Sequence, residues 1–177
     1  MDAILIDGQY LYEEQKHCKC DRIDFGTFLD KLTTEPRKVW YFTNDIPGTR
    51  HDKFLEVVRT RGARVVKGNI VEISITCPHC GHVLTEQRQK QVDVAIAVVA
   101  MQVAPHADRL FLVTGDSDFV PLLNALETVT RTILVAHNPL PILKEAADQF
   151  IELHSILRKC RLVNGGVDYA KGIGTTQ

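Results

Sequence analysis

The feature that most restricts what this chain folds into is a series of short apolar runs alternating with helix-patterned stretches. Ala3–Ile6, Val39–Phe42, Ala63–Val66, Leu110–Val113 and Thr132–Ala136 each have the length of a short buried strand. Between them, Phe25, Phe28, Leu29 and Leu32 repeat at helical spacing behind Asp24, a capping residue. A second helix runs from about Arg50 to Arg61, buried through Phe54, Leu55, Val57 and Val58, and stops at Gly62. Val92 to Val103 is apolar nearly all round, apart from Asp93 and Gln102, which predicts a helix buried between sheet and neighbours. Pro121 suits the first turn of a helix reaching about Val129. Strands alternating with helices imply right-handed βαβ units, so the expected fold is α/β, doubly wound around a mostly parallel central sheet.

Where these runs stop is as informative as where they lie. Ile6 is followed by Asp7-Gly8, and Val113 by Thr114-Gly115-Asp116-Ser117-Asp118. Open parallel sheets bind ligands outside the carboxyl ends of their strands, where strand order reverses. If the two strands are neighbours, Asp7, Asp116 and Asp118 converge there, with Asp93 as a fourth acid. Clustered carboxylates repel and raise one another's pKa unless a cation neutralises them. An oxygen-rich set of this kind suits Mg²⁺ or Mn²⁺, which can activate water and polarise a phosphoryl group. Ser117 and the N–H groups near Asp118 are candidate phosphate contacts. The plainer alternative is that Asp-Gly is a turn, Asp118 an N-cap, and Asp93 a partner of its helix dipole.

The 177 residues fit one domain, and a hydrophobic share of 45% with 24% charged residues excludes disordered, collagen-like and coiled-coil chains. No stretch reaches the ~20 apolar residues of a membrane span, and the acidic start Met1-Asp2 is unlike a signal peptide. The expected compartment is the cytoplasm. With 21 basic and 22 acidic residues there is no global positive field, so an RNA partner would need a local basic patch or a metal.

From Gly68 to Gln89 the pattern becomes β-like on both sides of Cys77-Pro78-His79-Cys80-Gly81-His82, which predicts an inserted hairpin carrying a zinc knuckle. Five cysteines without a secretory signal disfavour a disulfide framework. Cys-x-x-Cys-Gly presents two thiolates to one tetrahedral ion, and Cys18 and Cys20 are candidates for the other two ligands of a structural Zn²⁺ site. His17, His79 or His82 could replace one of them, while a redox pair or unligated thiols remain open. Cys160 reads as a buried or idle thiol.

Three segments in order, Ile6-Asp7-Gly8-Gln9-Tyr10-Leu11-Tyr12, Lys90-Gln91-Val92-Asp93-Val94-Ala95-Ile96-Ala97 and Val113-Thr114-Gly115-Asp116-Ser117-Asp118-Phe119-Val120-Pro121-Leu122-Leu123, resemble the NYN domain family, in its LabA-like branch, related in fold to PIN nucleases. The resemblance covers about residues 3 to 150, within a domain over 1–160 followed by a flexible tail over 161–177. It implies a Mg²⁺- or Mn²⁺-dependent RNA-cleaving centre at Asp7, Asp93, Asp116 and Asp118, supported by Ser117. Two departures bear on turnover. Tyr10 stands where the family has Asn, and Val98 and Val99 stand where a further acid is common. The alternative is a catalytically weak regulatory module that binds RNA or a protein.

Two further features bear on RNA. Arg59, Arg61, Arg64 and Lys67, with Arg88 and Lys90, form a basic run that either tracks a backbone or is a solvated face. Tyr10, Tyr12 and Trp40 either stack on bases or belong to the core.

Overall fold

The computed structural model describes residues 1–20, 22–44 and 50–162, without the side chains of 50, 51, 70–73 and 86–90. Of the expected flexible tail over 161–177, Arg161 forms an antiparallel bridge with Ile23 and the Leu162 N–H donates to the Arg22 carbonyl at 2.9 Å, while 163–177 lie outside the described residues, as do the side chains of Arg88 and Lys90.

Strand β1 (Asp2–Asp7) leads directly into α1 (Gly8–His17), followed by α2 (Phe25–Leu32) and β2 (Arg37–Asn44). Helix α3 (Arg50–Thr60) then crosses to β3 (Ala63–Thr76), which turns back as β4 (Val83–Lys90). Helix α4 (Val92–Val103) returns the chain to β5 (Arg109–Val113), and α5 (Val120–Leu126) leads to β6 (Arg131–Ala136). The chain ends through α6 (Pro141–Glu145), β7 (Gln149–Glu152) and α7 (Leu153–Cys160).

The sheet order is β4-β3-β2-β1-β5-β6-β7, parallel throughout except for β3 with β4. The chain winds outward through β2 and β3, then returns to the other side of β1 through β5, β6 and β7. Order therefore reverses between β1 and β5, whose register pairs Ala3 with Leu110 and Ile6 with Val113. Strand alternation divides the core in two. Ile4, Ile6, Tyr41 and Phe111 pack with α2 and α7 on one face. Ala3, Leu5, Phe42 and Leu112 pack with α4 and α5 on the other.

The expected strands and helices are present, and three findings modify the reading. The hairpin is a continuation of a core strand: β3 pairs with β2 through Gly68 and then with β4 from Asn69 to Thr76. Helix α4 is not buried all round. Val92, Ile96 and Ala100 face the sheet, while Val94 is 66% exposed and Val98 and Met101 share its outer stripe. Beyond β6 lie α6, β7 and α7, for which no element was expected; α7 nonetheless carries Leu153, Ile156, Leu157 and Cys160 on one buried face.

Candidate active site

Asp7, Asn44 and Thr114 extend β1, β2 and β5 at their carboxyl ends. By alternation from Leu5, Phe42 and Leu112, all three lie on the sheet face covered by α4 and α5. Asp7 also caps α1, accepting from the backbone N–H groups of Gln9 and Tyr10 at 3.1 Å each. Its other oxygen accepts from Thr114 Oγ1 at 3.3 Å. Gly8 follows because the chain has no room to turn with a side chain: a Cβ there would lie 2.5 Å from the Phe42 carbonyl oxygen and 2.5 Å from the Tyr41 ring. Burial is the largest influence on Asp7 and, reinforced by the charge of Asp93, raises its pKa to about 6 against the hydrogen bonds it accepts.

Asp93 occupies the first turn of α4, and its pKa is also raised, by desolvation and then by the charges of Asp116 and Asp118. Asp116 caps the short turn after β5, its Oδ1 accepting from the Asp118 N–H at 2.9 Å. The Phe119 N–H points back to the Asp116 carbonyl at 3.3 Å. These two N–H groups, expected to be available to phosphate, are thus engaged within the turn. Ser117 sits between the two acids, half-buried. The four carboxylates share one field at the reversal point. Among the described residues, however, no three of them bring oxygens within 4.8 Å of one another.

The donor set fits a hard cation. It supplies only oxygens, two of its carboxyls are pushed toward protonation, and the buried Asn44 Oδ1 on the same face has no hydrogen-bond partner. Asn44 escaped the sequence reading because it belongs to no recognisable spacing, and Thr114, although inside the Val113–Leu123 segment, was read there only as part of the turn.

Tyr10 packs across the opening. Its hydroxyl accepts from the His137 backbone N–H at 2.8 Å, and burial lifts its pKa to about 12. A Cβ at Gly115 would lie 2.6 Å from the Tyr10 ring. Gly115→Ala is therefore expected to displace that ring and cost about 2 kcal/mol. Chemical denaturation checks this, and a Tyr10→Ala background should remove most of the effect.

The remaining candidates disperse. The structure does not gather the four thiols of the expected zinc site. Cys77 and Cys80 lie in the β3–β4 turn, whereas Cys20 is buried in the core cluster that includes Cys160. Burial, together with Cys20, pushes the Cys18 thiol up to about 12. The turn between the strands is tight: Gly81 takes a φ of +68°, and the N–H groups of His79 and Cys80 approach the Cys77 sulfur and lower its pKa. Trp40 is core rather than a stacking surface. Tyr12 is exposed with Lys16 Nζ 4.1 Å from its ring centroid. Arg59, Arg64 and Lys67 are exposed, and Arg61 reaches Asp24 at 3.9 Å.

The NYN domain profile matches residues 3–155. The chain belongs to the NYN domain family. This NYN chain also superposes on the crystal structure of a protein of unknown function from Vibrio parahaemolyticus, with a TM-score of 0.66 and 21% identity over 85% of this chain and 90% of that one. That likeness concerns the fold. A ribokinase from Giardia lamblia aligns at a TM-score of 0.41 and 15% identity, over 81% of this chain and 50% of that one, too loosely to bear on the NYN fold. No curated protein matches the NYN chain. None of its described helices is long and apolar enough to cross a membrane.

Proposed function

We propose that this NYN domain is a Mg²⁺- or Mn²⁺-dependent endoribonuclease of the LabA-like type, acting in the cytoplasm. The observation that carries the reading is the convergence of Asp7, Asp93, Asp116 and Asp118 at the reversal of strand order, with the carboxyls of Asp7 and Asp93 both raised. Asp7, Asp116 and Asp118 would hold the ion, and Asp93 would complete the site or orient a water. When bound, the ion supplies a more acidic water and offsets charge on the phosphoryl oxygens. Thr114 fixes the Asp7 carboxylate, and Ser117 offers a hydroxyl to the phosphate. RNA is the expected partner, met by Arg59, Arg64 and Lys67 along the exposed side of α3 and β3. The Cys77–Cys80 turn serves as half of a structural zinc knuckle.

A second reading, a regulatory module that binds RNA or a protein without turnover, is favoured by one observation. Tyr10 replaces the family's Asn, and its hydroxyl is already committed to His137. The two readings separate in a cleavage assay on generic single-stranded RNA with Mn²⁺. Cleavage that disappears in Asp116→Asn supports the nuclease, whereas cleavage that survives the substitution excludes these acids as its source. RNA retained but uncut by the wild-type chain supports the second reading.

A further inference from the structure

We propose that Glu14, His137 and His154 form a binding site for one zinc-type transition-metal ion, distinct from the acidic crevice. One potential ligand atom from each lies within 4.8 Å of the other two. Glu14 and His154 are each placed by a helix, and His137 by the bend that follows β6. Glu14 lies on the buried stripe of α1 with Leu11 and Gln15 and is only 8% exposed. A carboxylate so enclosed requires a positive partner or a cation. His154, 6% exposed, is the second residue of α7, and its Nε2 stands 2.6 Å from Glu14 Oε2. His17 approaches the other oxygen of that carboxylate, with Nδ1 at 3.3 Å from Oε1.

His137 follows β6, just before Asn138 in the left-handed region at φ 43°, and its main chain is tied to Tyr10. Its Nδ1 lies 2.8 Å from Glu152 Oε1, and that same carboxylate caps α7 through the His154 N–H at 3.1 Å. A metal-bound imidazole characteristically gives its second N–H to a carboxylate. Glu152 is so placed, leaving His137 Nε2 to face an ion.

Two imidazoles and one carboxylate make a mixed nitrogen and oxygen set, which suits Zn²⁺, Co²⁺ or Ni²⁺ and not Mg²⁺. The two rings stack with centroids 3.5 Å apart and planes at 7°. Parallel rings cannot direct both lone pairs at one ion, so binding turns one of them. His137, with 41% of its side chain exposed, is the ring able to tilt. Bonds of about 2.1 Å need ligand atoms closer together than they now stand, and that tilt supplies the movement. Its solvent side leaves a fourth position to water.

The test is a titration of Co²⁺ into the chelator-stripped 177-residue chain carrying Cys77→Ser and Cys80→Ser, with excess Mg²⁺ added to occupy the acidic crevice, followed by visible absorption and competition with Zn²⁺. One Co²⁺ per chain is expected, with d–d bands, no thiolate charge-transfer band, and displacement by Zn²⁺. His137→Ala and His154→Ala should each weaken binding at least about tenfold, and Glu152→Gln about 10- to 100-fold. Asp116→Asn should leave it unchanged, which separates this site from the nuclease reading. Because the His137 side chain is largely at the surface, His137→Ala is the decisive variant, its fold verified by circular dichroism. Absence of saturable Co²⁺ binding, binding indifferent to His137→Ala, or binding lost in Asp116→Asn would each overturn the proposal.

Discussion

Asp7→Asn is expected to make the metal-free protein more stable at pH 7 by about 2–3 kcal/mol while abolishing Mn²⁺ binding in the crevice. The carboxyl's pKa rises from an ordinary 3.8 to about 6 in the folded chain. A shift of that size corresponds to about 3 kcal/mol of penalty for holding the charge in place. Since the folded state holds the proton more tightly, the penalty is complete above about pH 6. It is relieved as pH falls toward 4. Asparagine carries no charge at any of these values, and its side-chain oxygen can still accept from Gln9 and Tyr10 as an N-cap. The gain in denaturation free energy should therefore shrink steadily between pH 7 and pH 4. In the wild type, Mn²⁺ affinity measured by calorimetry should fall as pH drops through 6, because the ion competes with a proton. A variant no more stable than wild type at pH 7 would mean that Asp7 is not strained in the folded chain.

At the opposite end of β1, Arg109→Met is expected to cost about 3–4 kcal/mol. The Asp2 side chain is 2% exposed and receives Arg109 Nε at 3.1 Å, Arg109 Nη2 at 2.6 Å and Thr33 Oγ1 at 2.7 Å. Burial alone would raise the Asp2 pKa, but those donors outweigh it and hold the pKa below 3.8. Removing the guanidinium strands a buried charge among β1, β5 and the turn before β2. The melting temperature should fall by about 10 °C. A paired Asp2→Ala, Arg109→Met variant should recover much of the loss, because neither charge then needs a partner. In the wild type this clamp stabilises the fold above about pH 4 and weakens as Asp2 is protonated at lower pH.

The centre of the sheet was legible because parallel strands covered on both faces must be continuously apolar, as Ala3–Ile6 and Leu110–Val113 are. Their terminal acids were legible for the complementary reason, since a carboxylate immediately after such a run must sit at the sheet's end. Strand β7 was not legible: Gln149–Glu152 is four residues long and never fully buried, so it leaves no apolar run. Helix α7 did leave a signal, in the spacing of Leu153, Ile156, Leu157 and Cys160. Glu14, His137 and His154 share no spacing motif, and only the packing of α1 and α7 around the end of β6 brings them together. The four cysteines read as one zinc set are not gathered, because Cys77 and Cys80 ride on the far end of the β3–β4 hairpin while Cys20 turns into the core.

The central position of β1 also sets an order of events. Its hydrogen bond from Thr114 to Asp7 spans 107 residues of chain. Asp7 is made well before Thr114, and its strand has one edge unfilled until β5 arrives. Closing so long a loop is entropically costly and belongs to the slow part of folding. The acids therefore come together only after β5 has been made and has docked beside β1. A partly made or partly unfolded molecule has no assembled crevice, so whatever chemistry the crevice performs is withheld until the fold is complete.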